Sequence, residues 1–107
     1  MKLEQAFCEK VMAIVNKIPQ GRVSTYGAVA LMAGYPGRAR QVGHLLRGIS
    51  EQKAQTLPWH RVVNASGRLS TYKVGTGDLQ RVLLEAENIV FNSSGRLELK
   101  KLKWWEE

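Results

Sequence analysis

The 107-residue chain has one cysteine, two histidines and three prolines. A lone thiol, Cys8, excludes an internal disulfide. Together with His44 and His60 it falls short of the donor set of a structural zinc site. The glycine-rich phosphate loops of nucleotide enzymes and the paired-histidine helix of zinc proteases are missing, so no cofactor and no metal are expected. No apolar run approaches the ~20 residues of a membrane helix, and no membrane partner is expected. The opening Met1-Lys2-Leu3-Glu4-Gln5 lacks the apolar stretch of a signal peptide. A cytoplasmic location is therefore expected, nucleoid-associated in a bacterium. Acidic side chains are also scarce: nine Asp and Glu stand against sixteen Lys and Arg, a net charge of +7. Such a surplus on a small chain suits a polyanion, most often nucleic acid.

What is present reads as a globular chain, 44% hydrophobic and 23% charged. Its length predicts one domain over residues 1–107. No internal repeat, linker or low-complexity segment stands out. Leu3, Phe7, Val11, Ile14 and Val15 recur at helical spacing, and Pro19 and Gly21 end that helix. Cys8 lines up with Val11, Met12 and Val15, which makes it a small buried hydrophobe. Ser24 or Thr25 can cap a helix running to about Ala33. Gly34-Tyr35-Pro36-Gly37 is turn chemistry, and a second helix runs from about Arg38 to Arg47, stopping at Gly48. Two short helices across such a turn form the pattern of a helix-turn-helix.

On a wheel of the second helix, Ala39, Val42, Leu45 and Leu46 share one side and Arg40, Gly43, His44 and Arg47 the other. A glycine amid that polar face costs about 0.5–1 kcal/mol relative to alanine, and it allows another surface to come close. Residues 49–57 read as a loop, and Pro58 to Val63 leads into a short strand. After the turn Asn64 to Gly67, Asp78 is placed to cap a helix whose apolar stripe is Leu79, Val82, Leu83 and Ala86. Ile89-Val90-Phe91, Asn92 to Gly95 and Leu97-Glu98-Leu99 predict a hairpin. The tail from Lys100 to Trp105 mixes lysines with two tryptophans. It is either a docking surface or a cluster that closes the core.

Pro58-Trp59-His60-Arg61-Val62-Val63 resembles the Pro-Cys-His-Arg-Val motif of the O6-alkylguanine-DNA alkyltransferases, with tryptophan at the alkyl-accepting cysteine. That replacement marks the alkyltransferase-like proteins, which bind alkylated DNA without repairing it. Gly21 to Gly27 resembles the segment that opens the family's helix-turn-helix, Arg38 to Gly43 its recognition helix, and Gly67 to Tyr72 its lesion-pocket loop. Leu83 to Glu87 resembles the helix that follows. The fold implied is a mostly helical α/β domain with a winged-helix-like helix-turn-helix, as in the C-terminal domain of those enzymes.

The resemblance also implies roles. Arg40 matches an intercalating finger that enters the minor groove and fills the gap of a flipped base. Tyr26 matches a tyrosine that crowds the phosphate beside the lesion. Arg47 and Gly43, on the Arg40 face, fit phosphate contact and close groove approach. Trp59, Val62, Tyr72 and Lys73 match the lesion pocket, with Tyr72 offering its hydroxyl near O6 and Val62 and Lys73 their backbone. His60 and Glu87 match the relay that activates the family's thiol, here with no thiol to serve. An indole nitrogen is only a donor, so Trp59 removes the alkyl acceptor. Taken alone, Trp59 reads as a core tryptophan, His60 as a partly buried histidine and Tyr26 as a tyrosine following a cap.

Lys73 stands where the enzymes have a small residue, and Ile49 where they have an asparagine that braces the active-site loop. The implied function is a monomeric, non-enzymatic sensor of O6-alkylguanine in duplex DNA that flags lesions for nucleotide-excision repair proteins. A sequence-reading helix-turn-helix regulator and a residual alkyltransferase with another nucleophile are the alternatives.

Overall fold

The structure is a computed structural model that describes residues 3–69 and 76–105. Helix α1 (Gln5–Lys17) buries Phe7, Val11, Ile14 and Val15, the face set by their spacing. It stops where Ile18 turns extended ahead of Pro19. Cys8, expected to be buried, is partly buried against the same cluster.

Strand β1 (Ser24–Thr25) runs directly into α2 (Tyr26–Met32), which Thr25 caps by accepting the Ala28 N–H at 3.1 Å. The next turn needs Gly34 and Gly37, whose φ of +92° and +81° other residues rarely adopt. Tyr35 ties this turn back to α1: its ring meets Phe7 edge-on at 5.0 Å, and the Arg38 guanidinium lies 5.1 Å above it. Helix α3 (Ala39–Arg47) then packs against α2 and completes the helix-turn-helix.

The stretch read as a loop after Gly48 contains a helix, α4 (Glu51–Thr56), capped by Ser50 accepting from the Lys53 N–H. None of its residues is buried, so no apolar period marked it. One 3-10 turn (Trp59–Arg61) leads to strand β2 (Val62–Val63), which pairs in parallel with β1 in the register Ser24↔Val62 and Thr25↔Val63. On the other side Val23 bridges to Lys103, donating to Leu102 O at 3.0 Å and accepting from Trp104 N at 2.8 Å. This small sheet divides the molecule. Val62 points into a core of α1, α2 and α3, whereas Val63 joins Val23, Leu84, Ile89 and Leu97 in a second core.

Helix α5 (Thr76–Ala86) buries a different face from the one expected. Gln80 and Leu84 are buried, while Leu79 and Val82 are 50% and 60% exposed. An apolar stripe identifies a buried face only when polar residues find no partner inside, and Gln80 finds two. Its amide Nε2 donates to His60 O at 3.0 Å and Val62 O at 2.9 Å.

The expected hairpin is not a pair of strands. Leu97 donates to Gly67 O at 2.9 Å, and the chain turns into α6 (Leu99–Leu102). The sequence does hold a short repeat, contrary to expectation. Asn64-Ala65-Ser66-Gly67-Arg68-Leu69 and Asn92-Ser93-Ser94-Gly95-Arg96-Leu97 differ at a single position. They fold into the same loop: Asn64 Oδ1 accepts from Ser66 N, Ser66 Oγ and Arg68 N, and Asn92 Oδ1 from Ser94 N, Ser94 Oγ and Arg96 N.

Candidate nucleic-acid interface

On α3, Val42 and Leu46 seat the helix in the core. Arg40 and Arg47 are exposed on the far side. Arg40 has no hydrogen-bonding or ion-pair partner among the described residues. His44 lies between them, half-buried, with its Nδ1 2.9 Å from Arg47 Nη2. Gly43 departs from expectation, because it is buried. At ~100° per residue it falls between the Leu46 face and the Arg47 face.

Tyr26 opens α2 as its first residue, half-buried against the larger core. Next to it, Gly27 is exposed, and a Cβ there would make only ordinary contact with Ala39 at 3.9 Å.

The Pro58 to Val63 segment is held by a polar network. His60 Nε2 lies 2.6 Å from Glu87 Oε2. Arg61 donates through Nε and Nη2 to the same carboxylate at 2.9–3.1 Å, and through Nη1 to Ile18 O at 2.8 Å. The Gly21 N–H supplies a further bond, to Glu87 Oε1 at 2.8 Å. Burial pushes the Glu87 carboxyl up, but the Arg61 hydrogen bonds, the Gly21 N–H and His60 outweigh it, so the group stays below the usual carboxylate range. Thus the expected His60–Glu87 pair is in contact, and Arg61 and Gly21 share its acid. The carboxylate ties the segment to the turn at Gly21, and Arg61 ties it to the end of α1 through Ile18 O.

Sequence reasoning missed Arg61 and Gln80 as members of this assembly. Arg61 was visible inside the motif. Gln80 left no signal, because a glutamine within an apolar pattern looks like a surface residue. Its two bonds brace the segment from α5, while Ile49 packs against the larger core.

Trp59 is partly buried, its ring edge-on to His60 at 6.1 Å between centroids. It borders an open hollow of about 720 Å³ together with Pro58, His60, Leu79, Leu83 and Asn16. Val62 is fully buried; its N–H bonds Trp59 O and its carbonyl already accepts from Gln80. A base edge can meet only the second lone pair of that carbonyl. Tyr72 and Lys73, the other expected pocket residues, lie outside the described residues. Among the described residues no group of His, Cys, Asp and Glu could hold a metal ion, and no helix is long and apolar enough to cross a membrane.

A helix with exposed Arg40 and Arg47 on a helix-turn-helix, in a chain that also holds a braced histidine–glutamate segment, defines a small DNA-binding domain. Residues 6–89 match the family model described as the 6-O-methylguanine DNA methyltransferase DNA-binding domain. The chain is 45% identical over 98 residues to a protein of Vibrio parahaemolyticus named DNA base-flipping protein, covering 92% of this chain and 95% of the relative. It is 38% identical over 90 residues to Alkyltransferase-like protein 1 of Schizosaccharomyces pombe, covering 83% and 81%. A crystal structure of S. pombe Atl1 with damaged DNA containing O6-carboxymethylguanine superposes with a TM-score of 0.85 at 35% identity, covering 99% of this chain and all of the other. The chain belongs to the 6-O-methylguanine DNA methyltransferase DNA-binding family, among its alkyltransferase-like members.

Proposed function

We propose that this protein is a non-enzymatic sensor of alkylated DNA. In this reading α3 enters the minor groove, Arg40 fills the gap left by a flipped O6-alkylguanine, and the lesion rests beside Trp59. The observation that carries it is Trp59 between Pro58 and His60, which in the resemblance to the Pro-Cys-His-Arg-Val motif stands at the acceptor cysteine. An indole has no thiolate to receive an alkyl group but offers a flat apolar wall to a base. The His60–Glu87 pair then acts structurally, with Arg61 sharing the carboxylate. The S. pombe complex with O6-carboxymethylguanine DNA supports a damaged duplex as the ligand. The Vibrio relative's name supports base flipping. The protein acts as a monomer that marks the site for nucleotide-excision repair proteins, so that a persistent complex replaces chemistry.

The test is fluorescence anisotropy at fixed salt, with matched duplexes carrying or lacking one O6-methylguanine, followed by the protein's mass. Fixed salt matters because phosphate contacts make affinity steeply salt-dependent. Tighter binding to the lesion with unchanged mass is the expected result. Equal binding to both duplexes would mean a general helix-turn-helix protein, and a mass gain of one methyl group a working alkyltransferase. Arg40→Ala should weaken binding to the lesion duplex by about tenfold or more, which is ~1.4 kcal/mol. Wild-type affinity in that variant would remove the finger from the mechanism.

A further inference from the structure

The α3 face presented to DNA in the proposed function carries one group that the reading does not use. Arg40, His44 and Arg47 follow one another at i, i+4 and i+7, a single stripe along the helix. His44 is its middle member, and its Nδ1 lies 2.9 Å from Arg47 Nη2. A guanidinium has donors only and stays charged, so in this contact Nδ1 must be the acceptor. The imidazole proton then sits on Nε2. The bond fixes two things together: the direction of a long, flexible cation and the tautomer of the ring beside it. A cation held in one orientation loses less freedom when it meets a phosphate than one that must be ordered on binding.

We propose that His44 is a DNA-binding residue that works through Arg47. Its Nδ1 orients the Arg47 guanidinium toward a backbone phosphate, and its Nε2–H supplies a second, neutral donor to the phosphate oxygens of the same strand. The pair is a sequence-independent clamp beside Arg40. This inference rests on α3 being the DNA-facing helix. It concerns general duplex affinity, whereas lesion preference belongs to the pocket.

Anisotropy titrations of wild type, His44→Ala, His44→Asn, Arg47→Ala and the double alanine variant test it, against both duplexes and over a series of salt concentrations. Alanine is a better helix former than histidine, so α3 should persist, and circular dichroism melting checks it. His44→Ala should weaken both duplexes by about three- to tenfold and leave their ratio unchanged, the scale of one lost hydrogen bond. It should also flatten the salt dependence, because an Arg47 that has lost its His44 contact is less well directed and displaces fewer counterions. His44→Asn keeps an acceptor near the Nδ1 position and should recover most of the loss. In the Arg47→Ala background, His44→Ala should add little.

Wild-type affinity in His44→Ala, full additivity with Arg47→Ala, or an asparagine variant no better than alanine would overturn the proposal. Failure of wild type to prefer the lesion would sink the sensor reading alone, since the His44 comparison is still made on unmodified duplex. No binding to either duplex would overturn both.

Discussion

Glu87 shows how one side chain can hold a segment in place. Its carboxylate gathers His60, Arg61 and the Gly21 N–H, groups that are distant in sequence, and its side chain is 8% exposed. The same geometry makes stability depend on pH. The folded carboxyl titrates below its ordinary value of 4.5, so the unfolded chain binds the proton more readily than the folded one. The stabilisation is therefore complete above the ordinary value and is lost as pH falls from there through the lower, folded value. Urea unfolding between pH 7 and pH 3 should show this decline, and Glu87→Gln should remove that component. At neutral pH, Glu87→Ala leaves Arg61 without its anion and should cost about 3–5 kcal/mol.

At the scale of elements, the twin loops allow a controlled comparison. Gly67 and Gly95 occupy the same place in the two copies with φ of +81° and +79°. A Cβ on Gly95 meets nothing within 4 Å, whereas one on Gly67 would stand 2.7 Å from the Leu97 carbonyl oxygen. Gly95→Ala should cost only the left-handed strain, about 1–2 kcal/mol. Gly67→Ala should cost clearly more, because the obstructing atom is backbone and Leu97 N also bonds Gly67 O. Urea midpoints of the two variants measure the difference, and equal losses would mean that the junction between the loops carries no weight.

Helix α5 makes a related point. Gln80→Leu is close in shape and apolar, so the expected stripe would make it harmless. The structure predicts otherwise: the His60 and Val62 carbonyls lose a shared donor, at a cost of about 1–3 kcal/mol. The loss should appear in the denaturant midpoint.

On the whole-molecule scale, the C-terminal segment serves both cores at once. Trp104 packs against the core of α1 to α3, while Leu99 and Leu102 pack against the core behind the sheet. Between them, Leu102 and Trp104 bond both backbone groups of Val23. This favours core closure as the role of the tail, with Lys103 stacked 5.0 Å over the partly exposed Trp105. Truncation after Glu98 removes the partly buried Trp104 together with Leu99, Leu102 and both bonds to Val23, and should cost about 3 kcal/mol, read as a lowered melting temperature. An unchanged melting temperature would mean that the two cores hold without it.

Periodicity and turn chemistry located α1, the α2–turn–α3 unit and the Arg40 and Arg47 face, because those signals are local: apolar spacing, a capping threonine, glycines at positive φ. The Pro58 to Val63 motif pointed to the His60–Glu87 pair by resemblance. Long-range contacts decided the rest. Short strands β1 and β2 and the Val23–Lys103 bridge exist through pairing between segments far apart, which no window of sequence contains. The buried face of α5 was chosen by two carbonyls on another segment. Arg61 became part of the site only when folding brought Glu87 beside it. The sequence by itself determined α1, α2, α3 and the existence of α5, and it supplied the exposed cations of α3, whereas α4 and α6 left no such local signal. The tertiary structure decided which polar groups meet one another, since a buried amide or carboxylate is stable only where its partners have been assembled.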